Sequence, residues 1–523
     1  MQEEMVVPFL YRNKDLRFTL TVPIFESLVD EVLGRVLQVV DASLTKASID
    51  ARELSGVLVA GGTCLIPTVR DRIEGHLGVH VTFAGVDVMW IVAKGAVRHH
   101  LDLLSRPSAA VAATLGMDLL LETYASGRIE SALLLPAHQT LPCTVHRDFD
   151  VNAHTRSLTF QLLVDDVGDS AEPRSLERRV IQVRSATVSR IRVEVRADAS
   201  RTISIRVTDP RTRSSLGADI TIEGDGTLSA AELARHRSEF FLRPVPRRSA
   251  VQRYAVGIDL GTTTCEYAYH DIAAGDGEPM RAGRPRPSCV EVDKVEEEGL
   301  FVPDDTRQVR QLLTKGRSLF RNFKTWIGKD DDRSRHTDEQ GRYWPPHVLA
   351  AGLLQALIPG FDPREPSDAP AHLSTEPGAV IAVPCAFDPD RRRLVEQAAR
   401  LAGISEPVLI DEPIAAFHGH ALQNHNLLDA GRKYLILDVG GGTTDVCVLE
   451  TRVQRPRVLS TAGDDDAGGN LITDKIARCA VDGFLESSGL SVDCGKYAEL
   501  VRDVWDLAED AKCSLSDKMN GTL

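Results

Sequence analysis

Two short segments place an aspartate, glycines and threonines at matched spacing. Residues 258–264 read Ile-Asp-Leu-Gly-Thr-Thr-Thr, and residues 437–445 read Leu-Asp-Val-Gly-Gly-Gly-Thr-Thr-Asp. Apolar runs flank both, so residues 256–259 and 265–269, and likewise 435–438 and 446–449, are expected to be strands around a tight turn. Neither is a P-loop or a Rossmann turn, which needs a helix after its glycines. The chemistry is still that of phosphate binding. Glycine lets backbone N–H groups approach anionic oxygens, and threonine hydroxyls add donors. An aspartate at a strand end suits a hydrated Mg2+, so Asp259 and Asp438 are expected to face each other across that ion, through water. A third segment, Leu58-Val59-Ala60-Gly61-Gly62-Thr63, leads toward a helix and can present N–H groups to a nucleotide. One such turn alone is an ordinary glycine-rich hairpin; two of them with a third glycine pair favour the phosphate reading.

The elements that position these turns are partly legible. Residues 5–23 alternate as strands around the turn Arg12-Asn13-Lys14-Asp15. Residues 24–44 carry Phe25, Leu28, Val29, Val32, Val36, Val39 and Val40 at helical spacing. A buried strand is expected at 57–60 and a helix at 67–76. Residues 105–114 are linker-like, and 115–223 read as short strands, with clean alternation over 188–195 and 202–207. A short helix opens at a capping box of Ser229 and Glu232, and residues 242–249 form a second linker stiffened by prolines. From Tyr254 the pattern is mixed α/β. Asp388-Pro389 starts a helix and Gly403 ends it. The last helix carries Leu507, Ala511 and Leu515.

Composition sets limits. The chain has 523 residues, enough for about three domains. A formal net charge of −14 argues against a nucleic-acid partner. The nine cysteines are scattered without a C-x-x-C pair, which favours reduced thiols and a cytoplasmic location over disulfides or zinc. The opening Met-Gln-Glu-Glu is not a signal peptide, and no apolar run approaches the ~20 residues of a membrane span, so no membrane partner is expected. His418, His420 and His425 are expected on an exposed helix and loop, not as metal ligands. Residues 330–332 and 464–466, all aspartate, are expected to be solvated loops. Of Arg391, Arg392 and Arg393 only Arg392 is given a role.

The three turns together resemble those of the actin-like ATPases, and within them the DnaK-type seventy-kilodalton heat-shock chaperones. Val380-Ile381-Ala382-Val383-Pro384 resembles that family's strand before its first connecting helix. Asp411-Glu412-Pro413-Ile414-Ala415-Ala416 resembles its N-E-P-x-A-A motif, and Gly463-Asp464 with Gly468-Gly469 its G-D-x-x-x-G-G loop. Glu509-Asp510-Ala511-Lys512-Cys513-Ser514-Leu515-Ser516 resembles its E-x-A-K-x-x-L-S helix beside the adenosine. The resemblance implies a two-lobed α/β actin-like (ribonuclease H-like) ATPase domain, discontinuous at both chain ends, with an all-β peptide-binding sandwich inserted between its halves. The implied boundaries are 1–104 for the family's C-terminal half (lobe II), 105–114 for a linker, 115–226 for the sandwich, 227–251 for the helix and Pro/Arg linker, and 252–523 for the N-terminal half. The segment order is that of a circular permutation, with the last helix leading into the first strands; the alternative is a piece spanning two tandem copies.

Carried over residue by residue, the resemblance implies ATP and Mg2+ as cofactors. Asp259 and Asp438 would order the waters of the metal. Gly261, Thr262, Thr263, Thr264, Gly440, Gly441, Gly442 and Thr443 would hold the phosphates. Glu412 and Asp445 would position the attacking water, and the catalytic lysine would fall on Arg307. Glu509, Lys512 and Ser516 would meet ribose and adenine, with Gly61, Gly62 and Thr63 opposite. Pro384 and Arg392 would be the allosteric switch, and Phe149 and Leu158 would line a peptide groove. The implied partners are unfolded or extended polypeptides and a co-chaperone or nucleotide-exchange factor. Two arginines that sandwich adenine in the family are replaced by Leu65 and Cys513, and the apolar interdomain linker is missing. Those departures keep a second function open, a catalytically degenerate nucleotide-sensing or scaffold module. An Arg307→Lys change is expected to raise turnover.

Overall fold

Strand Gly56–Ala60 lies parallel to strand Lys433–Val439, with Gly56 opposite Tyr434 and Ala60 opposite Asp438. This pairing centres a five-stranded sheet of order Arg457–Asp464, Thr444–Glu450, Lys433–Val439, Gly56–Ala60, Val81–Thr82. Both central strands are near-continuous apolar runs because helices cover both faces of the sheet. A second sheet repeats the plan in the order Met280–Arg281, Thr264–Asp271, Tyr254–Asp259, Gly378–Val383, Glu406–Asp411, with Arg286–Pro287 paired beside Thr264–Asp271. Here too an antiparallel hairpin is followed by parallel strands, Gly257 lying opposite Val380.

The structure is a computed structural model. It describes the chain except residues 83–86, 106–117, 126–127, 137–138, 140, 152–156, 166–173, 183–188, 198–202, 217–219, 223–229, 241, 244, 246–250, 276, 282–284, 293–299, 301, 304–308, 310–318, 330–332, 339, 359–372, 374–377, 453–455 and 522–523. The linker expected at 105–114 (all but its first residue), the cap at Ser229, Arg307 and the acidic run 330–332 therefore lie outside the described residues, as does much of the proline-rich linker.

The helices are α1 (Val22–Ala47), α2 (Pro67–Leu77), α3 (Ile91–Ser105), α4 (Ala230–Glu239), α5 (Pro346–Leu357), α6 (Pro389–Ala402), α7 (Glu412–Gln423), α8 (Gly469–Ser488) and α9 (Cys494–Met519). α1 buries Phe25, Val29, Val32, Val36 and Val40 against the five-stranded sheet, as its spacing requires. Each such side chain, fully buried, contributes about 1.5–3 kcal/mol. The hairpin Gln2–Tyr11 with Lys14–Thr21 closes this lobe beside α8 and α9, and its turn residues Arg12 and Asn13 take positive φ. α6 has the caps its sequence announces. The Asp388 carboxylate accepts from the Arg391 N–H at 2.9 Å, Pro389 opens the first turn, and Gly403 leaves at φ +103°.

Between the two sheets, α3 crosses α7. Their contact is close enough that a Cβ at Gly95 would overlap the Ala415 carbonyl, and one at Gly419 the Ile91 carbonyl. The core there joins Leu58 and Ala60 of one sheet, Val380 and Ala382 of the other, and Ile91, Val92, Ile414 and Phe417 of the helices.

The β-region is two four-stranded sheets, Ile220–Ile222, Ile203–Thr208, Arg190–Ala197, Cys143–Asp150 and Arg128–Leu135, Asp118–Ala125, Ser157–Asp165, Arg174–Gln182. Its own core holds Leu119, Leu121, Phe160, Leu162, Ile191, Val193, Val195, Ile205 and Val207. Alternate residues of Arg190–Ala197 are buried, the period-two signature of a one-sided sheet. Phe149 packs against this core, and Leu158 lies on strand Ser157–Asp165. α4 then rests on α6, where Arg237 donates to the carbonyls of Arg400 and Leu401 at 2.6 and 2.8 Å and caps that helix's C-terminus. No helix among the described residues is long and apolar enough to cross a membrane.

Candidate functional site

The two glycine turns face each other. In the first, the Gly261 carbonyl accepts from the Ser288 hydroxyl at 2.6 Å, and the Thr263 carbonyl from the Ser288 N–H at 2.8 Å. In the second, the Gly440 N–H donates to the Thr443 carbonyl at 2.9 Å. The start of α8 clamps this turn from behind: Gly469 and Asn470 N–H groups donate to the carbonyls of Gly440 and Gly441 at 3.0 and 2.6 Å. A side chain at Gly441 would overlap Thr263, and one at Gly442 would press on Thr262 and Thr325, so glycine lets the two turns come this close. The third segment joins them. Gly61, at φ +80°, sits against Val439 and Asp438, and the Thr63 hydroxyl donates to the Gly440 carbonyl at 2.8 Å.

Four carboxylates gather where these strands end. Asp259 and Asp438 close the two first strands, Asp445 lies opposite Asp438 in register, and Glu412 opens α7. Among the described residues one ammonium serves them. Lys324, on the short 3-10 turn Phe323–Trp326, is 2% exposed and donates to Glu412. Burial and the neighbouring Glu412 push the Asp259 carboxyl up to about 8, against the pull of Lys324. Burial first, then Glu412, also raises Asp438 and Asp445 well above the usual carboxylate range. Burial alone would lower Lys324, but Glu412, Asp259 and Asp445 outweigh it and raise it. Asp445 accepts from the Cys385 N–H at 2.6 Å through one oxygen, and its other oxygen is buried with no hydrogen-bond partner among the described residues.

This donor set fits a divalent cation. Among the described residues these carboxylates, with buried Glu266 opposite Asp259, outnumber the ammonium beside them, and a bound cation reverses the pKa logic of its neighbours. Among the described residues no three His, Cys, Asp or Glu side chains converge for direct ligation. Asp259 and Asp438 at the strand ends are placed to hold such an ion through its water shell.

On the far side of the turns, Lys512 of α9 donates to the Gly469 carbonyl at 3.2 Å and pairs with Glu509 at 2.7 Å. Glu509 also accepts from Thr473. Ser516 donates to its own helix, to the Lys512 carbonyl at 2.7 Å. A Cβ on Gly469 would strike the Thr63 hydroxyl and approach the Lys512 ammonium, so Gly61, Gly62 and Thr63 share this corner with Lys512. Leu65 and Cys513 are exposed at its rim.

Pro384 and Arg392 touch. Arg392 donates to the Pro384 carbonyl at 3.1 Å, to the Phe387 carbonyl at 2.8 Å and to the Asp411 carboxylate, all buried. Asp411 immediately precedes Glu412, so this network reaches the carboxylate cluster through one peptide bond.

Lys324 was not singled out from the sequence. Its signal is its setting: a lysine between Phe323 and Trp326-Ile327 has nowhere polar to go unless it is buried with a partner. Three other expectations are corrected. His418 and His420 are buried at the α3–α7 crossing, where His420 meets the Val59 carbonyl at 2.9 Å and His418 meets His99 at 3.4 Å. Asp464 and Asp465 are not solvated: Asp464 accepts two bonds from Arg35, and Asp465 pairs with Arg391 and Lys329. Arg391 is itself buried. These long-range pairings leave no mark in a local charge pattern.

Two hairpin-plus-parallel-strand lobes with facing glycine turns define an actin-like ATPase architecture, and a β-sandwich accompanies it. A family model described as "Hsp70 protein" matches residues 4–240 and 366–523, more than half of the chain, and the chain belongs to the Hsp70 family. It is similar to Chaperone protein DnaK 1 of Synechococcus sp. (strain ATCC 27144), 32% identical over an alignment of 288 residues that covers 50% of this chain and 35% of that protein. It is similar also to Chaperone protein dnaK1 of Parasynechococcus marenigrum (31% over 288 residues, 50% and 40%) and Chaperone protein dnaK3 of Synechococcus elongatus (32% over 288 residues, 50% and 35%). The match thus spans well under half the length of these curated relatives.

Proposed function

We propose that this chain is an ATP-dependent chaperone of the Hsp70 type, which binds and hydrolyses Mg-ATP to control the hold of its β-sandwich on unfolded or extended polypeptide. One observation carries the reading: two phosphate-type turns face each other around four carboxylates and one buried lysine. Mg2+, when bound, would neutralise the phosphate oxygens and leave its water shell to Asp259 and Asp438. Gly261, Thr262, Thr263, Thr264, Gly440, Gly441, Gly442 and Thr443 hold the β- and γ-phosphates. Lys324, fixed by Glu412, takes the catalytic-lysine role and stabilises charge developing on the transferred group. Glu412 and Asp445 orient the attacking water, and the unpartnered oxygen of Asp445 is free to accept its hydrogen bond. Glu509, Lys512 and Ser516 meet the nucleoside opposite Gly61, Gly62 and Thr63. Pro384 and Arg392 relay nucleotide state, and Phe149 and Leu158 face client peptide.

In this reading residues 1–104 and 252–523 are two halves of one ATPase domain, in permuted order, with the sandwich between them. The parallel pairing of Gly56–Ala60 with Lys433–Val439 supports assembly of the halves within one chain. The contacts of Glu3 with Ser514 and Lys518 support continuity from α9 into the first strand. The protein would work in the cytoplasm with a co-chaperone or exchange factor.

The exposed Leu65 and Cys513 favour a second reading, a nucleotide-sensing module with weak turnover. Planar cations stacked on adenine contribute roughly 1 kcal/mol each, and neither residue supplies one. Phosphate release with Mg-ATP, with and without a denatured polypeptide, separates the two. Slow turnover that rises with polypeptide supports the chaperone; turnover no higher than that of Asp438→Ala supports the sensor.

A further inference from the structure

One guanidinium ties the backbone of the turn that carries Lys324. Arg391 donates to the Ile327 carbonyl at 2.9 Å and to the Thr325 carbonyl at 3.2 Å, three residues and one residue past Lys324. Its third arm reaches across the cleft to Asp465, in the loop between strand Arg457–Asp464 and α8 of the opposite lobe. The guanidinium also lies 3.8 Å from the Phe387 ring centroid. Gly328 takes φ +78° and passes so close that a Cβ there would sit 2.7 Å from the Arg391 side chain. The backbone is shaped around this arginine.

Asp465 is equally well placed. Its neighbour Asp464 is tied to Arg35 of α1 by two bonds of 2.7 and 3.0 Å, which fixes the loop to its own lobe. A few residues on, Gly469 and Asn470 clamp the turn at Gly440 and Gly441. A shift of the phosphate turn therefore moves Asp465. One Asp465 oxygen faces both Arg391 and Lys329, the latter at 3.5 Å, while its other oxygen is buried with no hydrogen-bond partner among the described residues.

We infer that Arg391 is a positioning residue, which sets Lys324 for hydrolysis while Asp465 of the opposite lobe engages it. The inference rests on the ATPase reading for its effect on rate, but the tie itself does not. A guanidinium is needed because its fork reaches two carbonyls and a carboxylate at once, which an ammonium on a flexible stem cannot do. Opening the cleft would withdraw Asp465, leave the guanidinium with carbonyls alone, and slacken the turn under Lys324. Closure would restore the geometry, so hydrolysis is confined to the closed state.

The test uses the full chain and the variants Arg391→Gln, Arg391→Lys and Asp465→Asn, with two readouts. The first is kcat and nucleotide affinity measured separately. Arg391→Gln is expected to lower kcat on the order of a hundredfold, the scale of a small misplacement of a catalytic group, with affinity changed only a few fold. Asp465→Asn, on a more accessible residue, should lower kcat in the same sense without loss of folding. Arg391→Lys should keep the thermal stability but not the rate. The second readout is hydrogen exchange at the Ile327 and Lys329 amides, which bond to the Lys324 and Trp326 carbonyls; both should exchange faster in Arg391→Gln and in Asp465→Asn. Unchanged kcat and unchanged exchange in a folded Asp465→Asn overturn the inference while the ATPase reading stands. If the wild-type chain does not hydrolyse ATP, that reading falls, and exchange alone decides: faster exchange in both variants retains the tie, and unchanged exchange removes it.

Discussion

Lys324 and Glu412, 88 residues apart, meet as a buried, hydrogen-bonded ion pair at the mouth of α7. Lys324 also lowers Asp259 and Asp445, against the burial and the neighbouring Glu412 that raise them.

Removing the lysine should therefore be felt twice. Lys324→Ala is expected to lower ATP turnover about a hundredfold or more, as loss of a preorganised charge-stabilising group does. It should also destabilise the nucleotide-free protein by roughly 3–5 kcal/mol, because Glu412 is left buried and unpaired. Arg307→Ala, by contrast, should leave turnover nearly intact. Phosphate-release kinetics and urea unfolding of both variants decide the matter; equal losses would return the lysine's role to Arg307.

Asp438 tests the excess negative charge. With burial and three carboxylate neighbours raising it, Asp438→Asn should relieve repulsion and lift the nucleotide-free Tm by about 2–4 °C. The same change should abolish the additional Tm shift given by Mg-ATP. A variant that loses stability without ligand and still responds to Mg2+ would contradict the cation assignment.

Acid should weaken the lobe crossing. His99 and His100 of α3 and His347 of α5 are held down to about 4, by burial before any other cause, and burial also holds His418 well below its ordinary value. Their folded pKa lies below the unfolded value of 6.5, so neutral histidines stabilise the fold fully above pH 6.5. That stability drains as pH falls from 6.5 toward 4, by up to about 1.4 kcal/mol per histidine per pH unit. Unfolding free energy measured at pH 7.5, 6 and 5 should fall steeply across the series, and less steeply in His99→Phe. A flat profile would contradict it.

Arg392 offers a double-mutant cycle. Arg392→Ala removes a buried charged partner of Asp411 and should cost roughly 3–5 kcal/mol, whereas Arg392→Ala with Asp411→Asn should recover part of it. Thermal unfolding of the four proteins gives the coupling energy; strict additivity would mean the two groups do not act together.

The helix crossing makes a steric prediction. Gly95→Ala places a methyl group where the Ala415 carbonyl lies, and α3 must then retreat from α7. Overpacking of this kind costs about 1–3 kcal/mol, and calorimetry should show at least that. No loss of Tm would mean the helices are free to separate.

How much of this was legible follows from the range of the interactions. The strand ends, the glycine turns and the caps of α6 are local: an aspartate before glycines, or Asp-Pro before a helix and glycine after it, fixes backbone geometry within a few residues. α1 was equally plain, because one face carries its whole apolar set. α3 was not. Its Lys94, His99, His100 and Asp102 are buried on partners from other elements, Lys94 on Glu278, His100 on the Val256 backbone, and His99 and Asp102 on His418, so polar residues interrupt its buried face. Lys324 and Arg391 were missed because their meaning lies in partners from other elements, Glu412 in one case and Asp465 in the other. Three consecutive arginines look alike in sequence; only the fold assigns one to a proline carbonyl, one to a lysine-bearing turn and one to the surface of a helix.

The bond from Thr63 to Gly440 joins residues 377 positions apart. During synthesis, strand Gly56–Ala60 emerges early, with both faces apolar and its parallel neighbour not yet made. At chain growth of about 5–20 residues per second, it waits on the order of 20–75 s for that neighbour. A protein proposed to shield unfinished chains would thus itself spend that interval as one, with a strand edge unpaired.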